Sequence, residues 1–199
     1  MFKHSNGFSL IELLVVVALL VVLAALAVPQ VIAYGESSAN AAAAADIRNA
    51  SMAEKAFFAD WGVYASSAPG AYPGVGMVMT NFANSTGQIW ATGINGTAPS
   101  RTIPAPGFQI SVSQNVGIVI NTSVMGGSHT LVAKNAMGDR CFGMDSDSKV
   151  VYWTNGLLGY PLISTAAPVP IAGGDDFDGV SGVGSCLGYP PGQITWVAL

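Results

Sequence analysis

One residue with chemistry to offer sits where a charge is costly. Glu12 lies near the start of an apolar run, Phe8 to Val28 of FSLIELLVVVALLVVLAALAVPQ. As a helix that run rises about 1.5 Å per residue, roughly 31 Å in all. The hydrocarbon core of a bilayer is about 30 Å thick, so the run reads as membrane-spanning. An acid at the centre of such a helix costs about 2.5–3.5 kcal/mol, and Glu12 therefore calls for a partner. The segment before it, MFKHSNG, carries Lys3 and ends in Gly7. An ordinary secretory signal places its apolar region ahead of the cleavage site and loses it. Here the small residue precedes the run. Cleavage between Gly7 and Phe8 would leave the helix on the mature chain, with a new amino group at Phe8. The Phe8 ammonium of one copy can then pair with Glu12 of a neighbour, and a bundle of such helices acquires its own axial register.

The other candidate groups are weaker. GGDDFDGVSG sets Asp175, Asp176 and Asp178 among glycines. Carboxylate oxygens on a flexible loop can ligate Ca²⁺, although the late Glu of an EF-hand loop is missing. The competing reading is a solvated acidic turn, which is also the reading for Asp145 and Asp147. No other cofactor is called for. Cys141 and Cys186 are the two cysteines. In an exported domain such a pair forms a bridge. Closing a loop of about 45 residues is worth about 4 kcal/mol in the chain-entropy model. Phe57, Phe58, Trp61 and Tyr64 read as a helix-to-sheet core with a wet aromatic edge. Asn49, Asn84, Asn95 and Asn121 match a loose glycosylation pattern. The sequence offers no Ser/His/Asp set, phosphate loop or paired metal-ligand motif, so an enzyme reading has nothing to rest on.

Composition narrows the classes further. The 199 residues allow one globular domain besides the apolar helix. Apolar residues make up 51% and charged residues 9%, with a formal net charge of −4. Losing Lys3 with a leader makes the mature side chains more acidic still. The chain has no basic patch, which argues against a dedicated nucleic-acid site. Lys3 precedes the helix and few basic residues follow it closely. The positive-inside rule then puts the leader in the cytoplasm and the domain outside.

These groups have to be positioned by a small set of elements. Pro29 lacks an N–H and should kink the helix rather than end it, with Gly35 as a second soft point. From Glu36 the helix becomes amphipathic. Ile47, Met52, Phe57, Phe58 and Trp61 supply its bulk, and Asp46, Arg48, Glu54, Lys55 and Asp60 its solvated side. Gly62 is the expected stop. Six segments follow from this: a leader over 1–7, a membrane or core helix over 8–34, its outer half over 35–61, a Gly/Pro-rich connection over 62–106, a sheet over 107–154 and a bridged C-terminal region over 155–199. Alternating patterns mark strands near 108–113 and 116–121, and 130–134, 140–144 and 150–154 are further strand candidates. The fold class is α+β, with the outer half of the helix packed on an antiparallel sheet of about four strands.

The N-terminal pattern resembles the class III signal of type IV prepilins and pseudopilins. The matching residues are Gly7 before the cut, Phe8 after it, Glu12 as the fifth mature residue, and Pro29. The resemblance covers about thirty residues, with a weaker likeness over AAAAADIRNASMAEKAFFADWGVYAS. It implies a pilin-like fold, cutting by a prepilin peptidase, N-methylation of Phe8 and polymerisation on an assembly platform. It also implies passage from the bacterial inner membrane to a cell-surface pilus. The reading is a structural pilus subunit whose main partner is itself. The alternatives are a periplasmic pseudopilin of a type II secretion system, or a minor pilin acting as an adhesin or DNA-uptake module.

Overall fold

The computed structural model describes residues 9–65, 79–80, 88–91, 97–98, 101–102, 108–123, 126–162, 167–168, 170–171, 173, 176–177, 186 and 195–199. A single helix, α1, runs over Leu10–Trp61 and passes through Pro29. Its start carries the residues of a capping box. Ser9 has extended backbone, and its N–H donates to Glu12 Oε2 at 3.1 Å. At the far end Gly62 takes a left-handed conformation with φ 74°, and its N–H donates to Phe58 O at 2.7 Å. That conformation is cheap for glycine and strained for residues with a Cβ.

The strands are β1 (Met79–Thr80), β2 (Gln88–Ala91), β3 (Thr97–Ala98), β4 (Arg101–Thr102), β5 (Phe108–Ser111), β6 (Val116–Thr122), β7 (His129–Asn135), β8 (Arg140–Asp145), β9 (Tyr152–Asn155) and β10 (Val197–Ala198). The main sheet is antiparallel in the order β1-β6-β7-β8-β9-β10. Its four long strands β6 to β9 are the predicted ones. The two-residue strands β1 and β10 form its edges. The segment expected at 108–113 does not join this sheet. β5 pairs instead with β2, Ile110 opposite Ile89, in a separate ribbon. Its pattern was legible, but pairing is a long-range choice that alternation alone does not encode.

Both faces of the sheet are covered, and the strand period of two assigns the side chains. Val116, Ile118, Ile120, Leu131, Ala133, Phe142 and Met144 face α1, where Ala43, Ile47 and Ala50 meet them. Val119, Val132, Cys141 and Tyr152 face away, toward Leu162, Ala167, Phe177, Cys186 and Trp196. Burying one such large apolar side chain is worth about 1.5–3 kcal/mol. These C-terminal residues thus form a second layer of core, closed by the Cys141–Cys186 disulfide. Phe177 is its plug. Its ring lies where a side chain on Gly143 would stand, and it meets Trp196 edge-on at 4.9 Å.

Candidate assembly helix and its seat on the domain

α1 has two halves with opposite surfaces. Every residue from 9 to 35 is exposed, although most of those positions are Leu, Val, Ile or Ala. Soluble monomers rarely present so large an apolar surface. Glu12 is exposed within it, and its carboxylate accepts from the Ser9 N–H in the first turn. Gly7 and Phe8 lie outside the described residues. Beyond residue 35 the helix turns a stripe of Ala39, Ala43, Ile47, Ala50, Ser51, Glu54 and Phe57 onto the sheet. Small residues there let the backbones approach closely.

Two acids expected on the solvated side are buried instead. Asp46 Oδ2 accepts from the Ser113 N–H at 2.6 Å, and Oδ1 accepts from the Ser113 Oγ–H at 3.1 Å. Glu54 Oε2 accepts from the Ala65 N–H at 2.9 Å. Glu54 caps a backbone amide just past the end of the helix, and Asp46 caps one between β5 and β6, each an N–H that would otherwise be left unmatched. Burial raises the Asp46 carboxyl, partly offset by the Ser113 bonds. For Glu54 it wins outright, lifting the carboxyl to about 8. The spacing 43, 47, 50, 54, 57 places Glu54 in the apolar stripe, and this was the signal available in the sequence. Met52, expected to supply bulk, is exposed instead.

The hairpin joining β7 to β8 grips the helix lower down. Asn40 Nδ2–H donates to Asp139 Oδ1 at 2.7 Å, and Asn40 Oδ1 accepts from the Arg140 N–H at 3.2 Å. A side chain on Gly138 would collide with Asn40. Lys134 is fully buried inside this hairpin. Its Nζ donates to Asn135 O, Gly138 O and Tyr160 O at 3.0, 3.1 and 2.8 Å. Desolvation lowers the ammonium to about 8, against the opposing pull of Asp139. Neither Asn40 nor Lys134 belongs to a pattern that sequence reasoning could isolate.

At the top, His129 is buried at the start of β7 with its ring 4.2 Å from that of Tyr64. Neither imidazole nitrogen finds a partner among the described residues. Desolvation first, then Lys55, lowers it to about 3, against a weaker upward pull from Asp147. The acidic loop is built on the amides around it. Asp145 Oδ2 accepts from the Asp176 N–H, Asp147 Oδ2 from the Gly173 N–H, and the Asp176 carboxylate from the Ile171 N–H. Asp175 and Asp178 lie outside the described residues. Among the described residues, no three His, Cys, Asp or Glu side chains converge as a metal site.

The prokaryotic N-terminal methylation motif matches residues 2–28. This chain carries the class III signal of type IV pilins and pseudopilins. The motif spans Gly7, Phe8 and Glu12 and ends one residue before Pro29. Beyond it the helix and antiparallel sheet complete a pilin-like α+β arrangement. No curated protein and no solved structure matches the chain.

Proposed function

We propose that the chain is a structural subunit of a type IV pilus, cut between Gly7 and Phe8 and polymerised through the apolar half of α1. The observation that carries this reading is the methylation motif on a helix whose first half is exposed throughout, packing on nothing among the described residues. The precursor holds that half in the inner membrane. The filament covers it with copies of itself. Glu12 then accepts the charge of a neighbour's Phe8 amine, so that neither ion is left alone in an apolar core. The domain layer, held to α1 through Asn40, Asp46 and Glu54, forms the outer surface of the filament.

Peptide mass spectrometry of sheared surface filaments tests this. A dominant peptide beginning at N-methyl-Phe8 is the expected result. The same peptide confined to membranes would favour a pseudopilin or a scarce minor subunit, which share the motif. A chain starting at Met1 in every fraction would overturn processing altogether.

A further inference from the structure

Where α1 leaves the domain, an apolar groove of about 620 Å³ is lined by Ile32, Gly35, Glu36, Met137, Leu158 and Gly159. Its walls are exposed: Ile32 56%, Met137 59% and Leu158 49%. Tyr34 and Tyr160 stand exposed beside it in sequence. The domain side of the groove is a built platform. The buried Lys134 ammonium ties the 135–138 turn to the Tyr160 carbonyl, and the Gly159 N–H donates to Ala136 O at 2.8 Å. Gly138 against Asn40 fixes that platform to the helix.

We infer that this platform seats the domain in the outer headgroup layer of a zwitterionic phospholipid bilayer before assembly. The inference rests on the reading of α1 as a membrane anchor. A hydrocarbon core of about 30 Å takes about twenty helical residues, and each headgroup layer adds about 5–7 Å. A span beginning at Leu10 therefore leaves the core near Pro29 and crosses the headgroups over roughly the next three to five residues. Sliding the span by one turn keeps Ile32 to Glu36 at the boundary. Met137 and Leu158 line the same groove and lie at the same depth. Tyrosines with apolar neighbours are what this layer favours. Among the described residues the lining includes Glu36 and no basic side chain. Lys134 is turned inward, and Arg140 lines the adjoining groove beside Glu36. One exposed cation next to one acid is not the polybasic cluster that an anionic-lipid seat needs. It fits a net-neutral headgroup such as phosphatidylethanolamine or phosphatidylcholine. The domain is thereby held close against the bilayer rather than swinging on the helix.

Site-specific photocrosslinking of the full chain in phosphatidylcholine vesicles tests the seat. Benzoylphenylalanine replaces Met137, Leu20 or Met52 in separate preparations. Leu20 lies mid-span, and Met52 is exposed on α1 well above the groove. The expected result is a phospholipid adduct at Met137 and at Leu20, several-fold above the yield at Met52. Lipid adducts at Leu20 alone, or a Met137 crosslink only to a second copy, would overturn the seat and leave the anchor standing. Loss of the Leu20 adduct would overturn the anchor itself.

Discussion

Glu54 and His129 both touch one short segment: Ala65 donates to the carboxylate, and the Tyr64 ring packs on the imidazole. Burial moves them in opposite senses, Glu54 from 4.5 to about 8 and His129 from 6.5 to about 3. A raised carboxyl stabilises fully below its unfolded value, and that contribution is lost as pH climbs toward about 8. A lowered imidazole stabilises fully above its unfolded value, and that contribution is lost as pH falls toward about 3. The pair's contribution is therefore level between 4.5 and 6.5 and declines on either side. Glu54→Gln should remove the alkaline decline. The stability of the parent relative to the variant should fall by about 1.4 kcal/mol per pH unit above the unfolded carboxyl value. Urea titrations of the detergent-solubilised chain measure it, and a pH-independent difference would mean the carboxyl is not buried as described. Gly143→Ala tests packing at the same scale. An added methyl meets the Phe177 ring, and a loss of about 1–3 kcal/mol is expected. The acidic loop has its own test. Hydrogen bonds from Gly173, Ile171 and Asp176 amides predict a melting temperature indifferent to EDTA. A drop of several degrees would assign a cation there instead. Among the acids, Glu12 stands out in the sequence as one carboxylate in an apolar run. Glu54 carried a signal in its stripe spacing that its charge masked, and Asp46 carried none, since a carboxylate capping a distant amide looks like any solvated acid until the fold is closed.

At the level of elements, α1 was the easiest to read. Continuous apolar content, high helix propensity and Gly62 gave its length nearly to the residue. The four long strands of the main sheet were legible as strand signals, its two short edges were not, and the bridge was legible from cysteine number and compartment. The partner of β5 and the second core layer were not, because both depend on contacts between distant segments. The outer half of α1 works by smallness. Ala50 is fully buried against the sheet, and Ala50→Leu should cost about 1–3 kcal/mol by overpacking. Chemical denaturation of the variant reads this directly. The disulfide holds the 186 region over β8. Replacing both Cys141 and Cys186 by Ser should cost up to about 4 kcal/mol. Thermal melts with and without the bridge would show it, and an unchanged midpoint would mean that Phe177 and Trp196 hold this layer unaided.

At the scale of the whole molecule, the chain divides into a part that satisfies itself and a part that does not. The domain closes both faces of its sheet, whereas the first half of α1 leaves its apolar surface bare. Glu12→Val should therefore leave membrane insertion and folding intact while filaments fall well below parental yield. Electron microscopy of sheared material counts them, and normal filaments from cells lacking the parental subunit would remove Glu12 from the pairing. Among the described residues the sheet ends on both sides in strands of two residues, β1 and β10. Such short edges offer almost no backbone for another chain to extend. In the filament proposed above, copies packed along their helices would share no ladder of main-chain bonds through these edges. Such a polymer would come apart one subunit at a time, by sliding greasy surfaces from one another into lipid, with no strand to unzip.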